Sequence, residues 1–283
     1  MQRRYKLVLG VLLSLLIVFV GFAVWAETPP APMAEAFEAL KPDSSVTVST
    51  GSWLVFNPVS TKATTGFIIY PGGRVDFRSY APSAHAIAAQ GYLVVIPQMP
   101  LNLAVFGVNI ASDVIKSYPQ ITSWAIGGHS LGGTMAAQFA YENPTKTRGL
   151  VLWAAYPASG TDLSKSNLLV TTIHGSNDGL VSTTQIDDSL KLLPPLTLRI
   201  EIEGGNHAQF GWYGNQAGDN SPTITRELQQ NQTVTATVSL LEKLQNVGSI
   251  CQNQQGLVMK KSFTCGTCIH CKLCNLLEKL RLT

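Results

Sequence analysis

The sequence predicts an α/β protein with a mostly parallel, doubly wound sheet flanked by helices. Short, continuously apolar segments alternate along the chain with stretches of helical composition. Continuous apolar runs are typical of strands that helices cover on both faces, as in parallel sheets. The chain has 283 residues, of which 45% are hydrophobic and only 13% charged, and this is enough to bury one sizeable core.

Strands in the first half of the chain are predicted from apolar runs that end in breaker residues. The run at 46–56 contains a Gly-Ser turn and predicts a hairpin, whereas the run at 65–70 ends in Pro-Gly-Gly. An Ala-rich helix at 80–90 is stopped by glycine, the next strand at 92–96 is closed by proline, and a helix is expected at 103–117.

The second half repeats this alternation. Right-handed crossovers place the carboxyl ends of parallel strands on one edge of the sheet, where we expect the functional site. Strands are predicted at 124–128, 149–155, 168–174 and 196–203, and helices at 183–192 and 234–244.

The N-terminus reads as a targeting segment. Residues 7–25 form an uncharged apolar run of nearly membrane-spanning length, preceded by Arg3, Arg4 and Lys6. Length favours a retained signal anchor, and the alternative is a signal peptide cleaved at 24–26 followed by secretion. In both cases the positive-inside rule places the rest of the chain outside the cytoplasm.

We therefore divide the chain into four parts. Residues 1–26 are the anchor or signal peptide, 27–45 a Pro-rich linker with a short helix, 46–247 the α/β domain, and 248–283 an irregular, Cys-rich tail. The formal net charge is +3, but the basic residues are concentrated at the two ends, so the body of the chain is net negative. Nucleic acid is therefore not an expected partner.

The most informative motif is G-x-S-x-G, formed by Gly128, Ser130 and Gly132. A strand leads into it and a helix of small residues leads out, which is the context that a nucleophile on a sharp turn requires. Side chains at the two glycines would collide with the neighbouring strand and helix. The alternative is a Gly-rich turn whose serine merely caps a helix.

A catalytic serine needs a base, and the base needs an orienting acid. His207 follows the last predicted strand, and Asp178 follows the strand before it. The chain order Ser130, Asp178, His207 is the order that goes with this motif. His174 lies at a strand end, and we expect it to be structural. Asp178 could instead be a turn residue, and His207 an ordinary loop histidine.

An oxyanion hole requires two N–H donors aimed at the developing charge. Leu131 supplies one, because it opens the helix after the nucleophile. The second is expected in the Pro-Gly-Gly turn after the 65–70 strand, where we predict Gly73 first and Arg74 second.

These motifs resemble the α/β-hydrolase superfamily, and within it small, lidless serine hydrolases related to dienelactone hydrolases. The resemblance covers roughly residues 46–244 and includes a branch described only as an α/β-hydrolase domain. It implies Ser130 as nucleophile, Asp178 as orienting acid and His207 as general base, with no cofactor. Dienelactone hydrolases have cysteine at the position of Ser130, so their own reaction is not implied.

The substrate is expected to be a small ester or lactone. Only a short segment at 156–167 stands where a cap domain would be inserted, so the site should be open and shallow. Gln209, Trp212 and Tyr213 follow His207, and we single out Gln209 and Tyr213 as candidates for lining the pocket. They could equally well only pack the loop.

The Cys-rich tail raises a weaker metal hypothesis. Repeated C-x-x-C can bind zinc or an iron–sulfur cluster, but the spacing departs from the bacterial cluster pattern, and an exported chain favours disulfides. We therefore predict no metal site, with this cysteine set as the alternative: Cys265, Cys268, Cys271 and Cys274.

Three functions remain open from the sequence. The first is a membrane-anchored or exported serine hydrolase acting on esters, and it is the one we predict. The second is a non-catalytic scaffold of the same fold that binds a ligand or partner at the cell surface. The third is a redox or metal protein that works through the tail.

Overall fold

The computed structural model describes the backbone of residues 2–260 and the side chains of residues 5–246. Eight strands form a single sheet, and apart from short 3-10 turns the remaining regular elements are seven α-helices within the described range. The strands are β1 (Val46–Ser49), β2 (Trp53–Pro58), β3 (Thr65–Tyr70), β4 (Leu93–Pro97), β5 (Ser123–His129), β6 (Gly149–Trp153), β7 (Leu169–Gly175) and β8 (Leu198–Ile202). The helices are α1 (Gln2–Glu27), α2 (Ala34–Glu38), α3 (Ala81–Ala88), α4 (Ile110–Ser117), α5 (Leu131–Glu142), α6 (Thr183–Ser189) and α7 (Arg226–Lys260).

The sheet runs in the order β1-β2-β4-β3-β5-β6-β7-β8. The β1-β2 and β2-β4 pairs are antiparallel, and every later pair is parallel. In the register of the β3-β5 pair, Tyr70 lies opposite Gly128. The turn after β3 therefore lies beside the turn after β5, at the edge where all the parallel strands end.

Helices cover both faces of the sheet, as the continuous apolar strands predicted. Buried residues of α3 and α7 pack on one face, and those of α4 and α5 pack on the other. Central strands such as β3 and β6 are buried along their whole length. The connection between β6 and β7, residues 154–168, contains no helix or strand, so no cap domain is inserted there.

Every predicted strand is confirmed, with bounds that differ by no more than two residues. The helix predicted at 103–117 is too long, because only Ile110–Ser117 is α-helical and 3-10 turns precede it. Inside the predicted range, Leu103 is extended, with φ −129° and ψ 113°, and Gly107 is also non-helical, with φ −136° and ψ 24°. The closing helix predicted at 234–244 lies within the longer α7, which continues past residue 247, and the four clustered cysteines lie outside the described residues.

The N-terminal helix α1 differs from the others because its apolar side chains are exposed along its length. Its segment from Tyr5 to Glu27 has a mean hydropathy of 3.0, and it is the one candidate membrane span among the described residues. Ala26, at the end of the helix, is fully buried against the rest of the chain.

Candidate active site

Ser130 lies at the top of a sharp turn between β5 and α5. Its backbone has φ 53° and ψ −125°, a conformation that non-glycine residues rarely adopt. The Ser130 N–H donates to the carbonyl of Trp153 at 2.9 Å, which ties the turn to the neighbouring strand. This combination of strain and support turns a half-buried hydroxyl toward the carboxyl edge of the sheet.

Gly128 and Gly132 make the turn possible, as the sequence predicted. A Cβ atom on either residue would collide with the carbonyl oxygen of Tyr70, and one on Gly132 would also collide with that of Pro71. These obstacles are backbone atoms of β3 and its turn, which cannot rotate away as a side chain could.

We expect Gly132→Ala to lower the free energy of unfolding by about 2–3 kcal/mol, because the added methyl group must displace the backbone after β3. Urea unfolding measures this change. Gly160→Ala is the matched control, because a Cβ there meets nothing within 4 Å and should leave stability within about 0.5 kcal/mol. Equal stability of the two variants would contradict the steric argument.

The structure brings Asp178 and His207 together beside the serine turn. Asp178 follows β7, His207 lies in the loop after β8, and Oδ2 of Asp178 is 2.8 Å from Nδ1 of His207. The other carboxylate oxygen accepts the N–H groups of Leu180 and Val181 at 2.8 and 2.7 Å, which fixes the acid in place. The His207 ring lies 4.5 Å, centroid to centroid, from the ring of His129, which directly precedes Ser130.

The Asp178 carboxylate accepts only, so Nδ1 of His207 carries the proton and Nε2 is left with a lone pair. Both side chains are buried. Within the described part of the chain, Nε2 has no hydrogen-bond partner, and the Ser130 hydroxyl is therefore not bonded to it. Its lone pair is not used by any hydrogen bond that holds the fold together.

A second carboxylate, Asp219, joins the acid loop to the base loop. One of its oxygens accepts the N–H of Gly179 at 3.0 Å and that of His207 at 3.3 Å, and the other accepts the N–H of Ala208 at 2.8 Å. Asp219 therefore sets the distance between the loops that bear Asp178 and His207. Sequence analysis missed this residue, because nothing in its local sequence separates it from an ordinary loop aspartate.

Two side chains at the start of α7 make hydrogen bonds to the backbone around the loop that bears His207. Gln229, which is fully buried, accepts the Asn206 N–H at 2.9 Å and donates to the Asn206 carbonyl at 2.7 Å. Arg226 donates to the carbonyls of Ala208 and Gly214 at 2.7 and 3.0 Å. Sequence analysis assigned no role to either residue, although both place their side chains under the proposed base.

His129 forms a third support, on the other side of the His207 ring. The Tyr80 hydroxyl accepts the Gly72 N–H at 2.9 Å and lies 2.9 Å from Nδ1 of His129, so its own proton is available to that nitrogen. Burial first, and then the neighbouring His207, hold the pKa of His129 well below 6.5. A neutral His129 adds no positive charge that would oppose protonation of His207 during a reaction.

The depressed pKa of His129 predicts a pH-dependent stability. Below pH 6.5 the unfolded chain binds a proton at this residue that the folded chain does not, so the free energy of unfolding should fall as the pH is lowered, with a slope that approaches about 1.4 kcal/mol per pH unit well below pH 6.5. Chemical unfolding at pH 7.5, 6.5 and 5.5 measures this slope. The His129→Asn variant keeps an acceptor for Tyr80, and its free energy of unfolding should depend on pH less steeply by that amount. Equal slopes in the two proteins would contradict the assignment of this slope to His129.

The turn after β3 offers one unpaired N–H toward the serine turn. Gly72 donates to Tyr80, and Arg74 donates to the Asn102 carbonyl at 2.8 Å, but Gly73 has no acceptor among the described residues. The first N–H of α5, on Leu131, is likewise without an acceptor in that part of the chain. A Cβ on Gly73 would lie 3.1 Å from Leu131 Cδ2, so the two residues are neighbours in the fold.

The candidates for lining the pocket are directed elsewhere. Gln209 is buried, its side-chain Nε2 donates to the Ile224 carbonyl at 3.1 Å, and its backbone carbonyl accepts from Gln230. The hydroxyl of Tyr213 donates to Gln216 at 2.8 Å, and Trp212 is buried beside it. These contacts favour the alternative in which the three residues pack the loop.

No cluster of three or more His, Cys, Asp or Glu side chains that could hold a metal is found in the described range of the chain. His174, which we expected to be structural, is fully buried in β7 and lies 3.4 Å from the Glu201 carboxylate. Burial, and then the nearby Arg199, lower its pKa. The alternative metal ligands of the tail fall outside the described residues.

Comparisons with known proteins agree with this architecture. The model of the Alpha/beta hydrolase family matches residues 66–231, and no curated protein sequence matches significantly. Among solved structures, a CIB-like hydrolase from Thermoplasma acidophilum is 15% identical with a TM-score of 0.53, over 69% of this chain and 99% of its own. A thermophilic esterase from Thermogutta terrifontis is 12% identical with a TM-score of 0.53, over 71% and 92%. At these identities the likeness concerns the fold.

Proposed function

This chain belongs to the Alpha/beta hydrolase family, and we propose that it is a serine hydrolase that cleaves an ester bond of a small substrate. The observation that carries the proposal is the buried hydrogen bond between Asp178 and His207 beside the strained turn that bears Ser130. The three residues come from three separate loops at one edge of the sheet.

In the proposed reaction, Nε2 of His207 removes the proton from Ser130 as its oxygen attacks the ester carbonyl. Asp178 stabilises the imidazolium through Nδ1, and the N–H groups of Leu131 and Gly73 bind the oxyanion. Collapse of the tetrahedral intermediate breaks the bond to the alcohol, which leaves with the proton from His207. Water, deprotonated by His207, then hydrolyses the acyl-enzyme and restores the serine.

Small substrates are proposed because, in the described part of the chain, no cap domain is inserted at its usual place. The connection at 154–168 is short and has no regular structure. An open site can hold a short acyl group but offers little surface to bury a long one. The relation to dienelactone hydrolases rests only on motifs, and we do not transfer their reaction to a chain with Ser130.

Pre-steady-state kinetics with p-nitrophenyl acetate test this function. A serine hydrolase should release a burst of nitrophenol that is stoichiometric with enzyme, followed by a slower steady state, because acylation by this activated ester is faster than deacylation. A non-catalytic scaffold of the same fold would bind the ester without a burst. A protein acting through the Cys-rich tail would lose its function when the residues after Cys251 are removed, whereas the burst should survive that truncation.

The proposed oxyanion hole has its own test. Gly73→Pro removes the unpaired N–H and should lower kcat by about 10²–10³-fold with little change in KM, because the donor acts mainly on the charge of the transition state. Gly73→Ala keeps the N–H, and its Cβ would meet side-chain atoms of Leu131 and Leu103 rather than backbone, so it is the matched control. Equal losses of kcat in the two variants would indicate a steric effect and would contradict the role of the Gly73 N–H as an oxyanion donor.

We also propose that α1 remains attached as a membrane anchor, with the α/β domain outside the cytoplasm. The exposed apolar length of α1 supports an anchor, and the basic residues before it support this orientation. Residues 27–45 would then be the link to the domain at 46–247, with 248–283 as a separate tail. Secretion after cleavage at 24–26 is the alternative.

A further inference from the structure

The C-terminal end of α1 is attached to the turn that carries the proposed oxyanion donor. Arg74, the residue after Gly73, donates through Nε to the Trp25 carbonyl at 2.8 Å and through Nη2 to the Thr28 carbonyl at 3.0 Å. Its guanidinium group lies 4.2 Å from the centroid of the Trp25 ring. One arginine therefore joins the end of the anchor to the rim of the site.

Asn102 makes a second attachment at the same place. Its side chain donates to the Ala26 carbonyl at 3.1 Å, and its own carbonyl accepts the Arg74 N–H at 2.8 Å. Ala26 is fully buried by these contacts. The anchor thus leaves the domain at the edge of the sheet where Ser130 lies, and cleavage after Ala26 would cut the helix within this attachment.

The rim continues from Asn102 into an exposed apolar turn, Ala104–Phe106. Val105 is 43% exposed and Phe106 is 55% exposed. Leu103, between this turn and Asn102, reaches to 3.7 Å from the position of a Cβ on Gly73. The segment therefore runs from the exit of the anchor to the mouth of the site and presents two large apolar side chains to the outside.

We infer that the turn Ala104–Phe106 is a second membrane contact, which inserts Val105 and Phe106 into the lipid interface and opens the site toward the bilayer surface. The bilayer is the partner of this turn, because α1 must end at a membrane surface next to this rim. None of the apolar segment of α1 is buried in the protein. The substrate class that follows is an amphiphilic ester that approaches Ser130 from the interface. This inference rests on the proposed anchor and on the proposed hydrolase site.

The opposite edge of the sheet supplies matched controls. Val59 follows β2, which runs antiparallel to β4, and Leu196 precedes β8, so both lie where the parallel strands begin. They are 54% and 93% exposed, at least comparable with Val105 and Phe106. Exposed apolar character is therefore similar at both edges, and the position of the anchor distinguishes them.

Photo-crosslinking of the full chain in phosphatidylcholine vesicles tests the contact without using catalysis. Benzoylphenylalanine is placed at position 106, 59 or 196 in separate variants, and intact mass after irradiation reports phospholipid adducts. We expect adducts at 106 and none at 59 or 196. Absence of adducts at 106, or equal yields at all three positions, would overturn the inference.

A kinetic arm tests the substrate class. The double variant V105S/F106S should lower the ratio of turnover of a vesicle-borne ester to turnover of a water-soluble ester about tenfold, because it removes apolar surface from the interface. Val59→Ser should keep the wild-type ratio, and an unchanged ratio in the double variant would contradict the inference. Phospholipid adducts at position 106 without burst kinetics would contradict the proposed function and leave the membrane contact in place. Burst kinetics without adducts would contradict only the membrane contact.

Discussion

Replacing Ser130 with alanine, or His207 with alanine, is expected to lower kcat for ester hydrolysis on the order of 10⁶-fold. In the proposed mechanism Ser130 supplies the bond-forming oxygen and His207 accepts its proton through Nε2, which has no hydrogen-bond partner in the described structure. KM should change far less, because neither group is proposed to bind the substrate in its ground state. Steady-state kinetics on purified full-length variants measure both effects.

The double variant S130A/H207A makes this prediction sharper. Two groups that act in one proton transfer lose their contribution together, so the double variant should be no slower than either single variant. A further large loss in the double variant would contradict a shared role. Circular dichroism must show native folding in each case, since His207 packs against His129 and Phe210 lies beside that ring.

Asp178→Asn is expected to lower kcat on the order of 10⁴-fold while the fold is kept. The asparagine oxygen can still accept the N–H groups of Leu180 and Val181. Its amide nitrogen then faces Nδ1 of His207, which must accept instead of donate. The proton is forced onto Nε2, and the base can no longer take the proton of Ser130.

Asp219→Asn is the matched control for this charge change. Asp219 also belongs to the loops around His207, but its carboxylate contacts their backbone N–H groups and not the imidazole. Asp219 is a positioning residue, and the Asp219→Asn change should lower kcat by no more than about 10²-fold. Equal losses in the two variants would show that Asp178 acts through loop geometry rather than through the tautomer of His207.

Local sequence predicted the strands and the serine turn because both depend on neighbouring residues. A buried parallel strand must be apolar throughout, and the turn needs small residues at Gly128 and Gly132, where backbone carbonyls approach. Ser130, Asp178 and His207 could be chosen by chain order and by their positions after strands. The structure then placed these residues together at one edge of the sheet.

The supports of the site could not be predicted in this way. Asp219, Arg226 and Gln229 act through contacts between segments that are distant in sequence, and their own surroundings look like ordinary loop and helix sequence. The helix predicted at 103–117 was too long, because Leu103 is extended and Gly107 is not helical, so only Ile110–Ser117 forms an α-helix.

Covalent labelling by a fluorophosphonate probe decides whether Ser130 is an activated nucleophile, when the full-length wild type is compared with Ser130→Ala and His207→Ala. A serine activated by a base reacts with the probe, whereas an ordinary surface serine does not. The account predicts a single label on Ser130 in the wild type and none in either variant. A folded wild-type protein that does not react, or a Ser130→Ala variant that still does, would contradict it.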